Sequence, residues 1–310
     1  MSRLTARCPG KLIITGEHSV VYQQPAIALA VCRYSYASWQ PSTSNALDVC
    51  LTDLDQQAHF ANPANLNAQL AARHQAFLAD QHPLPLCSAT ELVGATSTTG
   101  GTLAVRSELP TGSGMGSSAS VIGACLKAQN ADQKNVDLLA KATELENYQH
   151  GRSSGLDVRT CILGGVQTLN LNTRTQCDIP PALVIHTGPP KASTGEVVSF
   201  VRHQPASVWD DFGAVSQAIA NAITNQFNQV DFFKAVKANH RLLCAIGVVP
   251  PAVQAIIKHI ESLGGVAKIA GAGCHQGDQA GIIIAWGINK LDSKLPQFIA
   301  QPDWQGATLL

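Results

Sequence analysis

Long hydrophobic runs are missing from this chain of 310 residues. The longest apolar stretches, residues 26–32 and 281–286, are strand-sized and fall well short of what a bilayer span demands. Residues 1–11 hold no apolar core of the kind a secretory signal needs. Charge of one sign is lacking too: 21 basic residues face 21 acidic ones, with no basic arm and no acidic tail. Nucleic acid and anionic membrane are therefore poor partners. Nine cysteines, an odd number, are scattered without a Cys-x-x-Cys pair, which predicts reduced and mostly buried thiols in a cytoplasm and excludes a disulfide framework. Ten histidines without His-Glu-x-x-His spacing argue against zinc. Repeats and low-complexity tracts are absent.

What the chain does have is enough apolar content for one large domain or two ordinary ones, and glycine-rich loops beside strands and helices. Residues 107–129 run from an apolar strand at 102–105 through Pro110, Gly112, Ser113, Gly114, Met115 and Gly116 into a helix opening at Ser117 and Ser118. Three glycines let the backbone bring N–H groups close to a guest, and the helix start aims its amides and positive dipole end the same way. A phosphate chain suits such a hole. The absence of Gly-Lys-Ser/Thr excludes a P-loop, and Ser117 stands where the dinucleotide fingerprint needs glycine. Taken alone, the loop also reads as a plain flexible connection before a helix.

Two further stretches bear on it. Pro9-Gly10-Lys11 leads into an apolar strand, and Gly16-Glu17-His18 makes a turn with two ionisable side chains, followed by strands at 20–22 and 26–31. Lys11 alone reads more readily as a surface lysine at a strand entrance. Residues 264–278 form a second strand and glycine loop ahead of the strand at 280–286. Between them the patterns predict a strand at 47–54, a helix at 66–80, loop over 83–101, a helix through 121–129 and another over 135–148. Strands are expected at 165–171 and 182–186, then helices across 196–262. Glu146 ends one helix and Asp157, eleven positions on, follows Gly151 and Gly155 in a loop returning from it. The two carboxylates either converge on one cavity or serve as a solvated helix-end acid and a cap.

Together, residues 9–31, 110–119 and 268–281 resemble the three signature motifs of the GHMP small-molecule kinases, named for galactokinase, homoserine kinase, mevalonate kinase and phosphomevalonate kinase. Within the family, Gly16-Glu17-His18-Ser19-Val20-Val21-Tyr22 and His150-Gly151-x-x-Ser154-Gly155-x-Asp157 are most similar to the mevalonate kinases. Thr187-Gly188-Pro189, Ser193-Thr194 and Gly277-Asp278 lean toward phosphomevalonate kinases, and Cys274, His275 and Gln276 stand where the family carries small residues.

The resemblance implies an α+β, two-lobed fold, with residues 1–180 forming a lobe like ribosomal protein S5 domain 2 and residues 181–310 a ferredoxin-like lobe. It implies ATP-dependent phosphorylation of an alcohol, mevalonate at its 5-hydroxyl, with Mg²⁺ as cofactor. By the same resemblance the phosphates rest on Pro110, Gly112, Ser113, Gly114, Met115, Gly116, Ser117 and Ser118. Ser118 and Glu146 hold the metal, Asp157 and Lys11 are catalytic, and Glu17, His18, Thr194, Gly271 and Ala272 line the acceptor side. A homodimer is left open. So are three rival readings: a phosphomevalonate kinase using Lys191, Arg152 and Arg202, a diphosphomevalonate decarboxylase, and a sensor that kept the fold without the reaction.

Overall fold

The computed structural model describes residues 3–79, 86–110, 112, 114–171, 179–224 and 226–310. Ser113, residue 80 of the expected first helix and residues 83–85 of the expected loop lie outside the described residues.

The chain opens with two long antiparallel strands, β1 (Leu4–Thr15) and β2 (Ala26–Pro41), then β3 (Leu47–Leu51) and β4 (Gln56–Phe60). Helices α1 (Pro63–Leu78) and α2 (Ala89–Gly94) lead to β5 (Gly101–Ser107), α3 (Ser117–Gln129), α4 (Leu139–His150), α5 (Leu156–Leu163) and β6 (Val166–Leu169). The rest comprises β7 (Ala182–Gly188), helices α6 (Thr194–Val201), α7 (Ala206–Ile223), α8 (Gln229–Ala245) and α9 (Pro251–Ser262), then β8 (Val266–Ala270), β9 (Gly281–Trp286), β10 (Gln297–Ala300) and β11 (Thr308–Leu309).

One sheet has the order β11-β1-β2-β5-β3-β4, with β6 also on β2; the other runs β10-β7-β9-β8 and is antiparallel throughout. The C-terminus returns to the first sheet, where Ala6 pairs with Leu309 and Val31 bridges Pro302. β1 serves two cores. Its Ala6 and Cys8 join the cluster under α3, α4 and α5, whereas Leu12 and Ile14 join the cluster shared with the second sheet and α7 and α8. A register shift between Pro9 and Gly10 separates those halves. Irregularities of this kind re-aim the next side chain, and here that side chain is Lys11.

Four expectations need correcting. Residues 19–22 are a 3₁₀ turn ending at Gln23 in the left-handed region (φ 63°), because a tight reversal between β1 and β2 overrides the β-propensity of Val20 and Val21. Residues 83–101 are not all loop: Ser88 accepts from the Glu91 amide and the Glu91 carboxylate accepts from the Ser88 amide, a capping box that starts α2. The strand expected at 47–54 ends at Leu51 and passes into a 3₁₀ turn at Thr52–Leu54. Asp157 lies in the first turn of α5, not in a loop, since Gly155 at φ 77° starts a new helix there. Among the described residues no helix is long and apolar enough to cross a membrane, and the eight described cysteines are free thiols, five of them buried.

Candidate active site

Lys11 is built into the site from both ends. Its amide donates to the Met115 carbonyl at 2.9 Å, which ties the glycine loop to β1. The adjacent Gly10 has no room for a side chain: a Cβ there would lie 2.5 Å from Leu109 and 3.0 Å from the Met115 oxygen. The ammonium reaches Asp157, Nζ to Oδ2 at 2.9 Å, with the lysine side chain only 3 % exposed and the aspartate 33 %. The lysine is therefore a buried partner, and the surface reading of it fails.

The glycine loop closes over that lysine. Gly112, Gly114 and Gly116 all have positive φ (68°, 85° and 70°). Gly116 is the N-cap of α3, so it supplies no side chain to the helix's free amides, and they remain available to an anion. Ser118, one residue into the helix, donates to Glu146 Oε1 at 2.6 Å. Glu146 is buried on α4, and His150, one turn on, brings Nε2 to 3.6 Å from its second oxygen. Burial raises the Glu146 carboxyl above the usual carboxylate range, while His150, Ser118 and Lys11 pull it back down. A cation would relieve that penalty. A buried carboxylate beside a hydroxyl is a hard-oxygen donor pair suited to Mg²⁺, which fills its other positions with phosphate oxygens and water. Among the described residues no group of three or more His, Cys, Asp and Glu side chains is poised to hold a metal.

The second glycine loop meets the first. A Cβ on Gly114 would lie 2.9 Å from the Ala270 carbonyl oxygen, and one on Gly271 would lie 3.6 Å from Gly114 Cα. On the other side of this contact stand Glu17 and His18. Glu17 Oε1 pairs with Lys268, a fully buried lysine in the middle of β8. Burial pulls Lys268 below its ordinary pKa against the upward pull of Glu17. His18, also held below its ordinary pKa by burial, donates from Nε2 to the Ala272 carbonyl at 2.9 Å. Its Nδ1 then carries a lone pair. Among the described residues that nitrogen and Glu17 Oε2 are buried acceptors without a hydrogen-bond partner, a costly arrangement unless a donor arrives from outside.

The structure thus brings together Lys11, Asp157, Gly114, Met115, Gly116, Ser118 and Glu146, and sets Glu17, His18, Gly271 and Ala272 across the loop contact. Pro110 and Gly112 lead into the loop, and Ser117 opens the helix. Thr194 is different: it is exposed at the start of α6, where the Ser193–Glu196 capping box fixes the helix end. Cys274, His275 and Gln276 are occupied elsewhere. The Ala192 amide lies 3.4 Å from Cys274 Sγ, and His275 stacks on Phe200 with centroids 4.4 Å apart. Sequence reasoning missed Lys268 and His150. The signals were a lone lysine in the apolar run Val-Ala-Lys-Ile-Ala, and a histidine four positions after Glu146.

Comparison with known proteins bears on the whole chain. The family model "GHMP kinases N terminal domain" matches residues 84–165. The mevalonate kinase of Archaeoglobus fulgidus is 28% identical over 318 residues, covering 99% of this chain and 99% of that one. The crystal structure of the Methanococcus jannaschii mevalonate kinase superposes with a TM-score of 0.75 at 21% identity, covering 97% of this chain and 98% of that one. The L. major mevalonate kinase in complex with R-mevalonate gives a TM-score of 0.67 at 20% identity over 96% and 95%. Residues 84–165 thus match the GHMP kinase N-terminal domain, and the whole chain shares the fold of solved mevalonate kinases, with full-length likeness to mevalonate kinase sequences.

Proposed function

We propose that the protein transfers the γ-phosphoryl group of ATP to the 5-hydroxyl of mevalonate, giving 5-phosphomevalonate and ADP, as a cytoplasmic enzyme of isoprenoid precursor synthesis. The observation that carries this reading is the 2.9 Å pair of Lys11 and Asp157, with the glycine loop that opens α3 packed on the lysine. Full-length likeness to mevalonate kinases supports the choice of acceptor.

In this reading the amides of residues 112–118 hold the phosphates, with Pro110 shaping the entry. Ser118 and Glu146 would hold Mg²⁺, which would neutralise phosphate charge there. The acceptor hydroxyl lies against Asp157, whose carboxylate takes its proton as the new O–P bond forms and the bond to the leaving ADP oxygen breaks. Lys11, 2.9 Å from that carboxylate, stabilises charge developing on the attacking oxygen. One of the two acceptors, Glu17 Oε2 or His18 Nδ1, takes a hydrogen bond from the other hydroxyl of mevalonate, with Gly271, Ala272 and, more remotely, Thr194 on the same side. Residues 1–180 and 181–310 act as the two lobes, the last strand reaching back to the first.

The test is substrate competition. ATP consumption with mevalonate and not with 5-phosphomevalonate, and with no carbon dioxide released, supports the proposal. The reverse preference, or binding without turnover, contradicts it.

A further inference from the structure

Between Glu146 and Asp157 the chain turns through residues 151–155, which join α4 to α5 and lead directly into the first turn of the helix that carries Asp157 against Lys11. α4 pins the turn once: the Gly151 amide donates to the Asn147 carbonyl at 2.7 Å, and the Ser153 amide donates to Asn147 Oδ1 at 2.7 Å. α1, which supplies no residue to the site, pins it again. His74 Nε2 donates to the Gly151 carbonyl at 2.7 Å. Gly151 also lies so close to Phe77 that a Cβ there would be 2.4 Å from the ring.

His74 and Phe77, three positions apart, share one face of α1. The imidazole is itself held, near-parallel to Phe77 (12° between planes) and edge-on to Tyr148 (68°). α1 is fixed in turn: Arg73 donates to Glu91 at 2.9 Å and to the Leu86 carbonyl at 3.1 Å, and Lys141 donates to Asn67 at 2.9 Å. This is a rigid support for one carbonyl oxygen.

We propose that His74 is a positioning residue: by holding the Gly151 carbonyl it fixes the turn that sets Asp157 against Lys11. The inference rests on the reading of Asp157 as the base. Gly151 is the C-cap of α4 and its amide bonds the Asn147 carbonyl, so the His74 bond falls on the carbonyl from which the turn leaves the helix. Glu146 lies within α4 between the buried Leu145 and Tyr148, so losing His74 displaces Asp157 and leaves the Ser118–Glu146 pair in place.

The experiment compares His74→Ala and His74→Gln with the wild type. It reads kcat, KM for mevalonate and ATP, half-activation by Mg²⁺, Tm, and amide hydrogen exchange over residues 151–157 in ligand-free protein. His74→Ala is expected to lower kcat about tenfold or more, with KM and Mg²⁺ half-activation changed by no more than about twofold. Exchange at the Ser153, Gly155 and Leu156 amides should quicken. Glutamine, whose side-chain amide can donate to the same carbonyl, should restore most of the kcat. An unchanged kcat in folded His74→Ala, a lowered Tm as its sole effect, or equal losses in both variants would overturn the proposal. Absence of mevalonate turnover in the wild type would count against the functional reading alone. In that case exchange still decides whether His74 holds the turn, and unchanged exchange overturns the inference.

Discussion

Replacing Gly116 with alanine tests the packing of loop against lysine without touching a charged group. The added Cβ would lie 2.8 Å from Lys11 Cγ and 3.0 Å from Cε, while Cys161 Sγ, at 3.5 Å, is an ordinary contact. Carbon pairs prefer about 3.5–4.0 Å, so the lysine stem must yield by roughly 0.7 Å. The ammonium, held 2.9 Å from Asp157, moves with it. Displacement of a reacting group by about 1 Å costs on the order of 10²-fold, so kcat should fall about 10- to 100-fold. A second effect is separable. At φ 70° an L-residue costs about 1–2 kcal/mol in backbone strain, which lowers Tm whatever happens to the lysine. Gly264→Ala isolates that term, because Gly264 has φ 86° and nothing within 4 Å of its Cβ position, and it follows α9 outside the site. Steady-state kinetics and thermal melts on both variants give the answer. A Tm loss in Gly116→Ala at least as large as that in Gly264→Ala, with kcat reduced in Gly116→Ala alone, supports the geometry. Equal kcat in the two variants would refute the reasoning.

Further outcomes follow from the buried charges. Lys268→Met leaves Glu17 buried without its partner and should destabilise the fold by about 3–5 kcal/mol in chemical denaturation, with most of that recovered in the Glu17→Gln/Lys268→Met double variant. A double variant no more stable than the single one would show that the pair is not coupled. His240 is held down to about 4 from 6.5, first by burial and then by the charges of Lys268 and Arg241. Below its unfolded pKa the unfolded chain takes up a proton that the folded chain refuses, so stability falls as pH drops from 6.5 toward about 4. His240→Asn should flatten that decline, measured as denaturation midpoints at about pH 7 and about pH 5; parallel profiles would contradict the assignment.

The parts of this molecule that were legible in its sequence are those where local chemistry and tertiary structure agree. The glycine loop before Ser117, the paired strands around Lys11 and the helix carrying Glu146 each announced themselves through backbone demands that few residues meet. Val20 and Val21 misled because strand propensity yields to a reversal forced by the pairing of β1 with β2. α2 was hidden in a Ser- and Thr-rich stretch whose Ser88-x-x-Glu91 box was the sole signal. Asp157 was expected in a loop since Gly151 reads as a helix stop and Gly155 as a sharp turn, whereas Gly155 starts α5. Lys268 was invisible as a partner for Glu17 because their contact spans two sheets, and no spacing rule connects residues 251 positions apart. His74 is the same case on a smaller scale, a helix-surface histidine whose partner becomes known only once α1 is laid against the end of α4.

The central claim is that Asp157, paired with Lys11, removes the proton from the acceptor hydroxyl. Asp157→Asn tests it most directly, assayed by ADP formation with mevalonate, ATP and Mg²⁺, with ATP binding measured in parallel. The account predicts a folded protein that binds ATP normally and turns over about 10²-fold more slowly or worse. Near-normal turnover in that variant would contradict it and leave positioning and charge neutralisation as the whole of the mechanism.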